Sequence, residues 1–493
     1  MQILIKGGRV VDPGKIDGIA DIFIEDGKIV KIKSNDTPRQ SQLERSVNPA
    51  ESGATSNDPS SPSATPRQGK RATSIEYPAS SIEHPVSSNE QPVSSIEHPV
   101  SSNEQRASRT IDATGKIVTP GLIDMHVHLR EPGHEYKETI ESGCLAAASG
   151  GFTAICCMPN TNPVNDNSQV TKFIIEKARL ADTVRVYPVA AISKGLEGTG
   201  LCEYGDLKDA GAVAVSDDGR PVSDSQLMRR AMEYAKGFGL PVISHCEDLN
   251  LLAGGVVNEG AFATRMGLPG IPNACESVMV MRDIALSELT ESPVHIAHVS
   301  TMESVRAIRA AKKRGVPVTA ETAPHYFTLI EDDVGQYDTN AKMNPPLRSK
   351  KDREAVREGL ADGTIDVIAT DHAPHSSIEK EVEFDRAANG IIGLETSVSL
   401  SLKLVEEGVL KIDELVEKMS TNPARILGLE SGLTIGNSAD ITIIDPDRSY
   451  TIDADSFRSL SRNTPFNGRE VKGKAVLTMV GGKIVFEDKN KNS

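Results

Sequence analysis

Short apolar runs alternate with amphipathic stretches through most of the chain, from residue 119 to residue 431. The stretches 224–239, 275–289 and 302–315 repeat apolar residues every three or four positions, which predicts helices. Between such stretches stand eight apolar runs of strand length: GLIDMHVH, TAICCMP, TVRVYPVAAI, AVAVSDD, PVISHCE, PVHIAHVS, VPVTAETAPH and DVIATDHAPH. Eight strands that alternate with helices predict an α/β fold, a (β/α)₈ TIM barrel. A doubly wound open sheet is the alternative, although no G-x-G-x-x-G follows the first strand.

Both ends of the chain carry another pattern, in which strand-like runs are separated by glycine turns. Such runs fill residues 1–33, return at 109–118 and recur at 432–493. GGRVV near the start and GGKIVF near the end resemble a pair of sister hairpins. We therefore expect the N- and C-terminal segments to form one small β-sandwich domain beside the barrel.

Residues 34–108 interrupt this pattern with a segment rich in Ser, Pro, Asn, Glu and Gln. From Ser74 a seven-residue repeat runs through it, and a proline in each full copy forbids a continuous helix. Such a composition buries too little apolar surface to offset the entropy lost on ordering. The segment is predicted to be a disordered insertion, with a partner-binding tail as the alternative, and its His84 and His98 are not counted as ligands.

Charge and composition limit which binding partners and which cellular compartment are expected. The formal net charge is −15 and no basic stripe occurs, so nucleic acid is not an expected partner. The chain has no signal-peptide pattern and no apolar run of membrane-spanning length, so a cytoplasmic protein without a membrane partner is expected. The six cysteines form no C-x-x-C pair, and they are predicted to be buried, reduced side chains.

Polar side chains cluster at the C-terminal ends of the predicted strands, where barrel enzymes build their sites. His126 and His128 are two apart and therefore share one face of the first strand. The pair Asp217-Asp218, His245 and His298 end later strands, and the last strand ends in TDHAPH. Imidazole and carboxylate ligands suit Zn²⁺, and their number exceeds what one tetrahedral ion needs. The pattern favours a two-zinc site with one bridging carboxylate.

The other histidines of the barrel segment are assigned no ligand role. His295 lies three residues before His298, so it is expected to face the other way and to serve in packing. His134, His325 and His372 are expected to be structural or to support the ligands.

The motifs together resemble the type I dihydroorotases of the amidohydrolase superfamily. HVHLR after TPGLID, MPNT, SDDG, SHCED, HIAHVS, KMNPPLR and ATDHAPH carry the likeness, together with NPAR and SRNTPFNGREVKGK near the C-terminus. The resemblance covers residues 1–33 and 109–493 but not the repeat segment. It implies reversible cyclisation of N-carbamoyl-L-aspartate to dihydroorotate, a step of de novo pyrimidine biosynthesis.

The resemblance also implies roles for individual residues. It gives the zinc ligands as His126, His128, Asp218, His245, His298 and Asp371. Within the Asp217-Asp218 pair it favours Asp218 as the bridge, with Asp217 as the alternative. Asp371 is also the expected proton carrier, since a carboxylate beside the metal can accept a proton and pass it to the leaving nitrogen.

The substrate-binding positions follow from the same resemblance. They are His128, Arg130, Asn160, Asn344, His375, Asn389 and Gly390. Arg130, Asn160 and His375 match positions that hold the substrate carboxylate, for which the planar guanidinium of arginine is suited. Asn344 matches a ring-binding position, and Asn389 and Gly390 match a loop that contacts the substrate.

Two other functions remain as alternatives. A hydantoinase, dihydropyrimidinase or allantoinase would often bridge its metals with a carbamylated lysine, and AVAVSDDG offers none at the end of the fourth strand. A non-catalytic partner of aspartate transcarbamoylase is expected to have lost metal ligands, whereas all of them are present. A homo-oligomer and a complex with aspartate transcarbamoylase are both compatible with the sequence.

Overall fold

The computed structural model describes residues 1–35 and 108–489. The repeat-rich residues 36–107 lie outside the described part, so the disordered insertion stays a prediction. Eighteen strands are present in the described part: β1 (Gln2–Asp12), β2 (Ile16–Glu25), β3 (Lys28–Ser34), β4 (Arg109–Asp112), β5 (Ile117–Pro120), β6 (Leu122–Val127), β7 (Phe152–Cys157), β8 (Arg185–Ala190), β9 (Ala214–Ser216), β10 (Val242–Ser244), β11 (Val257–Asn258), β12 (Gly270–Ile271), β13 (Val294–Ile296), β14 (Val318–Thr322), β15 (Val367–Ile368), β16 (Ile441–Thr451), β17 (Glu470–Val480) and β18 (Lys483–Glu487).

Helices connect the strands from β6 onward. The α-helices are α1 (Ile140–Gly150), α2 (Ser168–Ala181), α3 (Tyr204–Ala210), α4 (Ser225–Gly237), α5 (Leu249–Leu252), α6 (Ala261–Met266), α7 (Ala274–Thr290), α8 (Met302–Lys313), α9 (Pro324–Thr328), α10 (Lys350–Ala361), α11 (Ser377–Lys380), α12 (Ser397–Glu406), α13 (Ile412–Val416) and α14 (Asn422–Leu427). The predicted helices at 224–239, 275–289 and 302–315 are confirmed as α4, α7 and α8. Side-chain caps mark the starts of α4 and α8, where Asp224 accepts from the Gln226 and Leu227 amides and Thr301 accepts from the Ser304 amide.

Eight parallel strands form the barrel, in the order β6, β7, β8, β9, β10, β13, β14, β15. The last strand meets the first through a parallel bridge between Val127 and His372, and the His128 amide donates to the His372 carbonyl at 2.8 Å. The sheet is therefore closed, which confirms the barrel and excludes the open-sheet alternative. Both faces of the strands are buried, one inside the barrel and one under the helices, which is why their sequences are continuous apolar runs.

The two ends of the chain form a second sheet in the order β18, β17, β16, β5, β1, β2, β3, with β4 also beside β1. Strand β5 connects the halves, because it pairs with β1 in parallel and with β16 antiparallel. A separate apolar core, including Ile5, Ile22 and Met479, lies on this sheet. The expected β structure built from both termini is thus confirmed as one additional sheet.

The GGRVV hairpin was a wrong prediction. Gly7 and Gly8 lie inside β1, at a bulge where the pairing with β2 shifts, and Gly7 has a left-handed φ of 73°. The true counterpart of the Gly481–Gly482 turn is the turn at Gly27, which follows β2. The two turns meet, since a Cβ on Gly27 would lie 2.5 Å from the Gly481 carbonyl oxygen. Glycine is therefore required there for close backbone approach.

Two simpler expectations can be compared with the described residues. All six cysteines are buried and unpaired, as predicted. Among the helices of residues 1–35 and 108–489, none combines the length and the apolar character needed to cross a membrane.

Candidate active site

Six histidine and aspartate side chains converge at the C-terminal rim of the barrel. His126 lies within β6 and His128 just beyond it, while the other four follow β9, β10, β13 and β15 by one to three residues. All six are buried, and they are His126, His128, Asp218, His245, His298 and Asp371. Because parallel strands end on the same rim, residues far apart in sequence meet there.

The first metal-binding group joins His126, His128 and Asp371. Their ligand atoms all lie within 4.8 Å of one another. Asp371 Oδ1 is 3.2 Å from His128 Nε2 and 3.6 Å from His126 Nε2. Asp371 has a left-handed φ of 50°, so the chain turns sharply where this carboxylate enters the site.

Asp218 lies between this group and a second one. Its Oδ2 is 3.4 Å from His128 Nε2, and its Oδ1 is 3.3 Å from His126 Nε2. The same Oδ1 is 3.4 Å from His245 Nδ1 and 3.6 Å from His298 Nε2. One carboxylate therefore faces four imidazoles, which is the arrangement a bridging ligand needs.

The neighbouring Asp217 points away from these imidazoles. Its carboxylate accepts hydrogen bonds from the amides of Ile192 at 2.7 Å and Ser193 at 3.0 Å, and from the Ser193 hydroxyl. Burial raises the pKa of Asp217 to about 6, although these hydrogen bonds oppose the rise. Asp217 thus holds the turn after β8, and Asp218 is the member of the pair that faces the rim.

Sequence reasoning missed Glu321, which lies beneath the rim on β14. Its carboxylate is 2.5 Å from His126 Nδ1 and 3.2 Å from His295 Nε2. A carboxylate on the far nitrogen fixes the tautomer of a metal-binding imidazole and leaves Nε2 free for the metal. Burial raises the pKa of Glu321, but His126 and His295 outweigh it and hold that pKa well below its usual range.

His295 was wrongly expected to face away from the site. It contacts the same Glu321 carboxylate as His126, and its Nδ1 lies 2.8 Å from the Thr319 hydroxyl. Strand alternation does not extend from His295 to His298, because β13 ends at Ile296 and His298 has a left-handed φ of 34°. His295 therefore lies within the strand, beside Glu321, whereas His298 follows the strand and faces Asp218.

The residues expected to hold a substrate carboxylate lie beside the first group. Asn160 Oδ1 is 2.9 Å from His128 Nδ1. Arg130 donates through Nε to the Pro374 carbonyl at 3.1 Å, and its Nη2 is 3.3 Å from His375 Nε2. His375 Nε2 also lies 2.8 Å from the Asn389 carbonyl oxygen. Burial and the Arg130 charge lower the pKa of His375 to about 3, so this imidazole is neutral at physiological pH.

Asn344 and Gly390 complete the same rim. Asn344 donates through Nδ2 to Glu247 Oε1 at 2.8 Å, and Glu247 Oε2 is 3.5 Å from His245 Nε2. Gly390 has a φ of 125°, and a Cβ there would lie 2.5 Å from the Ala373 Cβ. Only glycine fits this position without displacing the strand-end loop that follows Asp371.

Comparison with known proteins identifies the family. A family model described as Dihydro-orotase-like matches residues 115–304. A dihydroorotase from Desulforapulum autotrophicum is 66% identical over 378 residues, which cover 77% of this chain and 89% of that protein. A dihydroorotase from Geobacter metallireducens is 52% identical over 489 residues, covering 99% of this chain and 100% of its own. This chain belongs to the dihydroorotase family.

Solved structures of related folds agree with the barrel and its second sheet. An L-hydantoinase from Arthrobacter aurescens matches with a TM-score of 0.77 and 25% identity, covering 100% of this chain and 97% of its own. A dihydropyrimidinase from Brevibacillus agri matches with a TM-score of 0.74 and 22% identity, covering 99% of this chain and 96% of its own. These likenesses show the architecture that this dihydroorotase-family chain shares with other cyclic amidohydrolases.

Two of the histidines expected to have supporting roles can be placed in this dihydroorotase-family site. His372 accepts a hydrogen bond from the Gly393 amide at Nδ1, and its Nε2 is 3.4 Å from Glu138 Oε2. Both of its nitrogens thus contact groups other than the six converging side chains, in keeping with a structural role. His325 is buried beside Tyr326, and burial lowers the pKa of His325 to about 4.

The donor atoms at the centre are those of a cation site. His126 Nε2 and Asp218 Oδ1 are buried and have no hydrogen-bond partner among the described residues, although they face each other. Buried polar atoms normally have a hydrogen-bond partner. A buried nitrogen and a buried oxygen that lack one and face each other therefore fit a bound cation, which accepts a lone pair from each. Burial raises the pKa of Asp218, but His126 and its neighbours outweigh it and hold that pKa well below the usual range.

Proposed function

We propose that this chain is a dihydroorotase, which reversibly cyclises N-carbamoyl-L-aspartate to (S)-dihydroorotate and water in de novo pyrimidine (UMP) biosynthesis. The observation that carries the proposal is the complete His/Asp centre beside a buried arginine. Arg130 is 9% exposed, and its guanidinium lies next to His375 at the same rim as His128. Dihydroorotate has both a cyclic amide and a ring carboxylate. The His/Asp centre suits the amide, and the positively charged Arg130 side chain suits the carboxylate.

The cofactor of this proposal is Zn²⁺, with two ions favoured. His126, His128 and Asp371 would hold one ion, His245 and His298 would hold the other, and Asp218 would bridge the two. Neutral imidazole nitrogens and carboxylate oxygens are donors that Zn²⁺ accepts, and the unpartnered His126 Nε2 and Asp218 Oδ1 fit this use. When bound, Zn²⁺ supplies water of lowered pKa and polarises a carbonyl.

Asp371 is the residue proposed to carry the proton. Burial raises the pKa of Asp371, but His126 and His128 outweigh burial and lower it, so the side chain is an anion at neutral pH. An anionic carboxylate can accept a proton when water adds to the ring amide. It can then donate that proton to the leaving nitrogen, and the same two transfers run backwards during ring closure.

Arg130, Asn160 and His375 are proposed to orient the substrate carboxylate. Arg130 presents a planar pair of N–H donors, which matches the two oxygens of a carboxylate. Asn344 is proposed to contact the ring, held in place by Glu247, and the loop at Asn389 and Gly390 to cover it.

Two further parts of the proposal concern place and partners. The buried, unpaired cysteines support a cytoplasmic location for this enzyme, which acts on a small-molecule substrate. Homo-oligomerisation and association with aspartate transcarbamoylase are open alternatives that size measurements with and without the transcarbamoylase would decide.

A substrate panel separates the proposed activity from its alternatives. Purified protein with known zinc content is assayed with dihydroorotate, N-carbamoyl-L-aspartate, hydantoin, dihydrouracil and allantoin. We expect turnover of the first two and at least a hundredfold lower kcat/KM for the uncharged rings. Preference for hydantoin or dihydrouracil would instead assign a hydantoinase or dihydropyrimidinase. Absence of turnover with every compound in fully metallated protein would favour the non-catalytic partner role.

A further inference from the structure

Five backbone carbonyls of one short rim segment point inward at three basic side chains. The segment is 385–390, which carries Asn389 and Gly390 and is here named the carbonyl loop. The carbonyl oxygens of Asp385 and Ala387 accept from Lys342 Nζ at 2.9 and 2.7 Å. Those of Ala388 and Gly390 accept from Lys380 Nζ at 2.8 and 3.1 Å. The remaining carbonyl, that of Asn389, is the one that His375 contacts.

The two lysines are buried, and they donate to backbone carbonyls. Lys342 is 4% exposed and Lys380 is 3% exposed. The hydrogen-bond acceptors of both ammonium groups are backbone carbonyls, and the third acceptor of Lys380 is the Lys342 carbonyl at 3.2 Å. A buried charge is costly unless its hydrogen bonds are satisfied, so carbonyl dipoles are what retain these lysines. An ordinary packing role would be filled more favourably by an apolar side chain.

The arrangement joins the carbonyl loop to the proposed carboxylate site. Gly390 is tied twice more, through its amide to the Lys342 carbonyl at 3.0 Å and through its carbonyl to Asn463 Nδ2 at 3.0 Å. The Lys380 charge also helps to lower the pKa of His375. A neutral His375 bonded to the loop through Nε2 keeps one orientation beside Arg130.

We propose that Lys380, supported by Lys342, is a positioning residue for the anionic end of the substrate. Lys380 holds the carbonyl loop in one position at the rim. This position in turn sets the orientation of His375 and the distance of Asn389 and Gly390 from the substrate. Burial and the nearby Lys342 charge lower the pKa of Lys380 to about 7, so the hydrogen bonds to the loop carry the positioning role. This inference rests on the proposed dihydroorotase function.

The test compares Lys380→Met with Lys418→Met. Methionine keeps the length of the lysine stem and removes its donors. Lys418 is the matched control, because it is also buried at 6% exposure and donates to one backbone carbonyl, that of Ile365 at 2.8 Å, on a helical turn away from the rim. Zinc content, thermal unfolding midpoint, kcat and KM for dihydroorotate are measured for both variants and the wild type.

We expect Lys380→Met to raise KM at least tenfold with kcat within threefold of the wild type and zinc unchanged. Lys418→Met should lower the unfolding midpoint and leave KM unchanged. Lys380→Gln, which restores part of the hydrogen bonding, should give an intermediate KM, and it decides the matter if the methionine variant does not fold. If the wild type turns over dihydroorotate and the folded Lys380 variants have the same KM as the wild type, the positioning role is overturned. A wild type that does not turn over dihydroorotate contradicts the proposed function instead.

Discussion

Replacing Asp217 should destabilise the fold and spare the metals. The Asp217→Ala change leaves the buried amides of Ile192 and Ser193 without their acceptor. Asp217 is 1% exposed, so bulk water does not replace the lost carboxylate. An unsatisfied buried donor costs about 1–3 kcal/mol, and two of them predict a loss of about 2–6 kcal/mol in the free energy of unfolding. Both amides donate to the same oxygen, Oδ1, so the Asp217→Asn variant can keep both bonds and should lose less than Asp217→Ala.

Replacing the neighbouring residue, Asp218, should instead reduce zinc binding. Asp218 faces imidazoles, and its Oδ1 has no hydrogen-bond partner among the described residues. Asp218→Asn removes the negative charge proposed to be shared by two ions, so bound zinc should fall from two per chain towards one or none. Activity should fall with the zinc.

The two effects are measured on the same samples. Zinc per folded chain is determined by elemental analysis at a fixed free zinc concentration, and thermal unfolding is recorded after chelation so that metal binding does not mask the backbone effect. The reasoning is refuted if folded Asp217→Ala loses as much zinc as Asp218→Asn, or if its metal-free midpoint equals that of the wild type.

Three other changes have defined outcomes. Arg130→Lys keeps the charge but loses the planar fork, so KM for dihydroorotate should rise about 10–100-fold at unchanged zinc content, and an equal KM would contradict the carboxylate role. Asp371→Asn should lower kcat about 10²–10⁴-fold in metallated protein, more than His372→Asn does, whereas near-normal kcat in both directions would exclude proton transfer by Asp371. Replacing residues 36–107 by a Gly/Ser bridge should preserve turnover and stability. The bridge must run from the end of β3 to the start of β4, across three strand spacings and along about six residues of strand, which is roughly 25 Å. About ten residues are needed to span that distance. Loss of turnover in a folded deletion variant would show that the segment has a function.

The barrel was predictable because its signal is local. Each strand is buried on both faces and therefore stands out as an apolar run, and the ligand residues follow those runs directly. The extent of β15 was not predictable in the same way. Its apolar run suggested a long strand, whereas the paired part is only Val367–Ile368, since the chain leaves the ladder to deliver Asp371 to the rim.

The supporting residues escaped prediction because their meaning depends on distant partners. Glu321 reads as one acidic residue in an apolar strand, and only the fold brings His126 and His295 to its two oxygens. That isolated acid within VTAET was the available signal. Lys342 and Lys380 have no such signal, because their acceptors are backbone carbonyls, which every residue carries.

The shared sheet of the two termini has a consequence for biosynthesis. Strand β5 must wait for β16, which begins about 320 residues later in the chain. At typical translation rates of roughly 5–20 residues per second, the N-terminal strands emerge tens of seconds before their partner exists. During that interval one edge of the nascent sheet is open and can pair with other chains. Truncation at the C-terminus should therefore harm solubility in the cell more than it harms the barrel, because it makes this temporary exposure permanent.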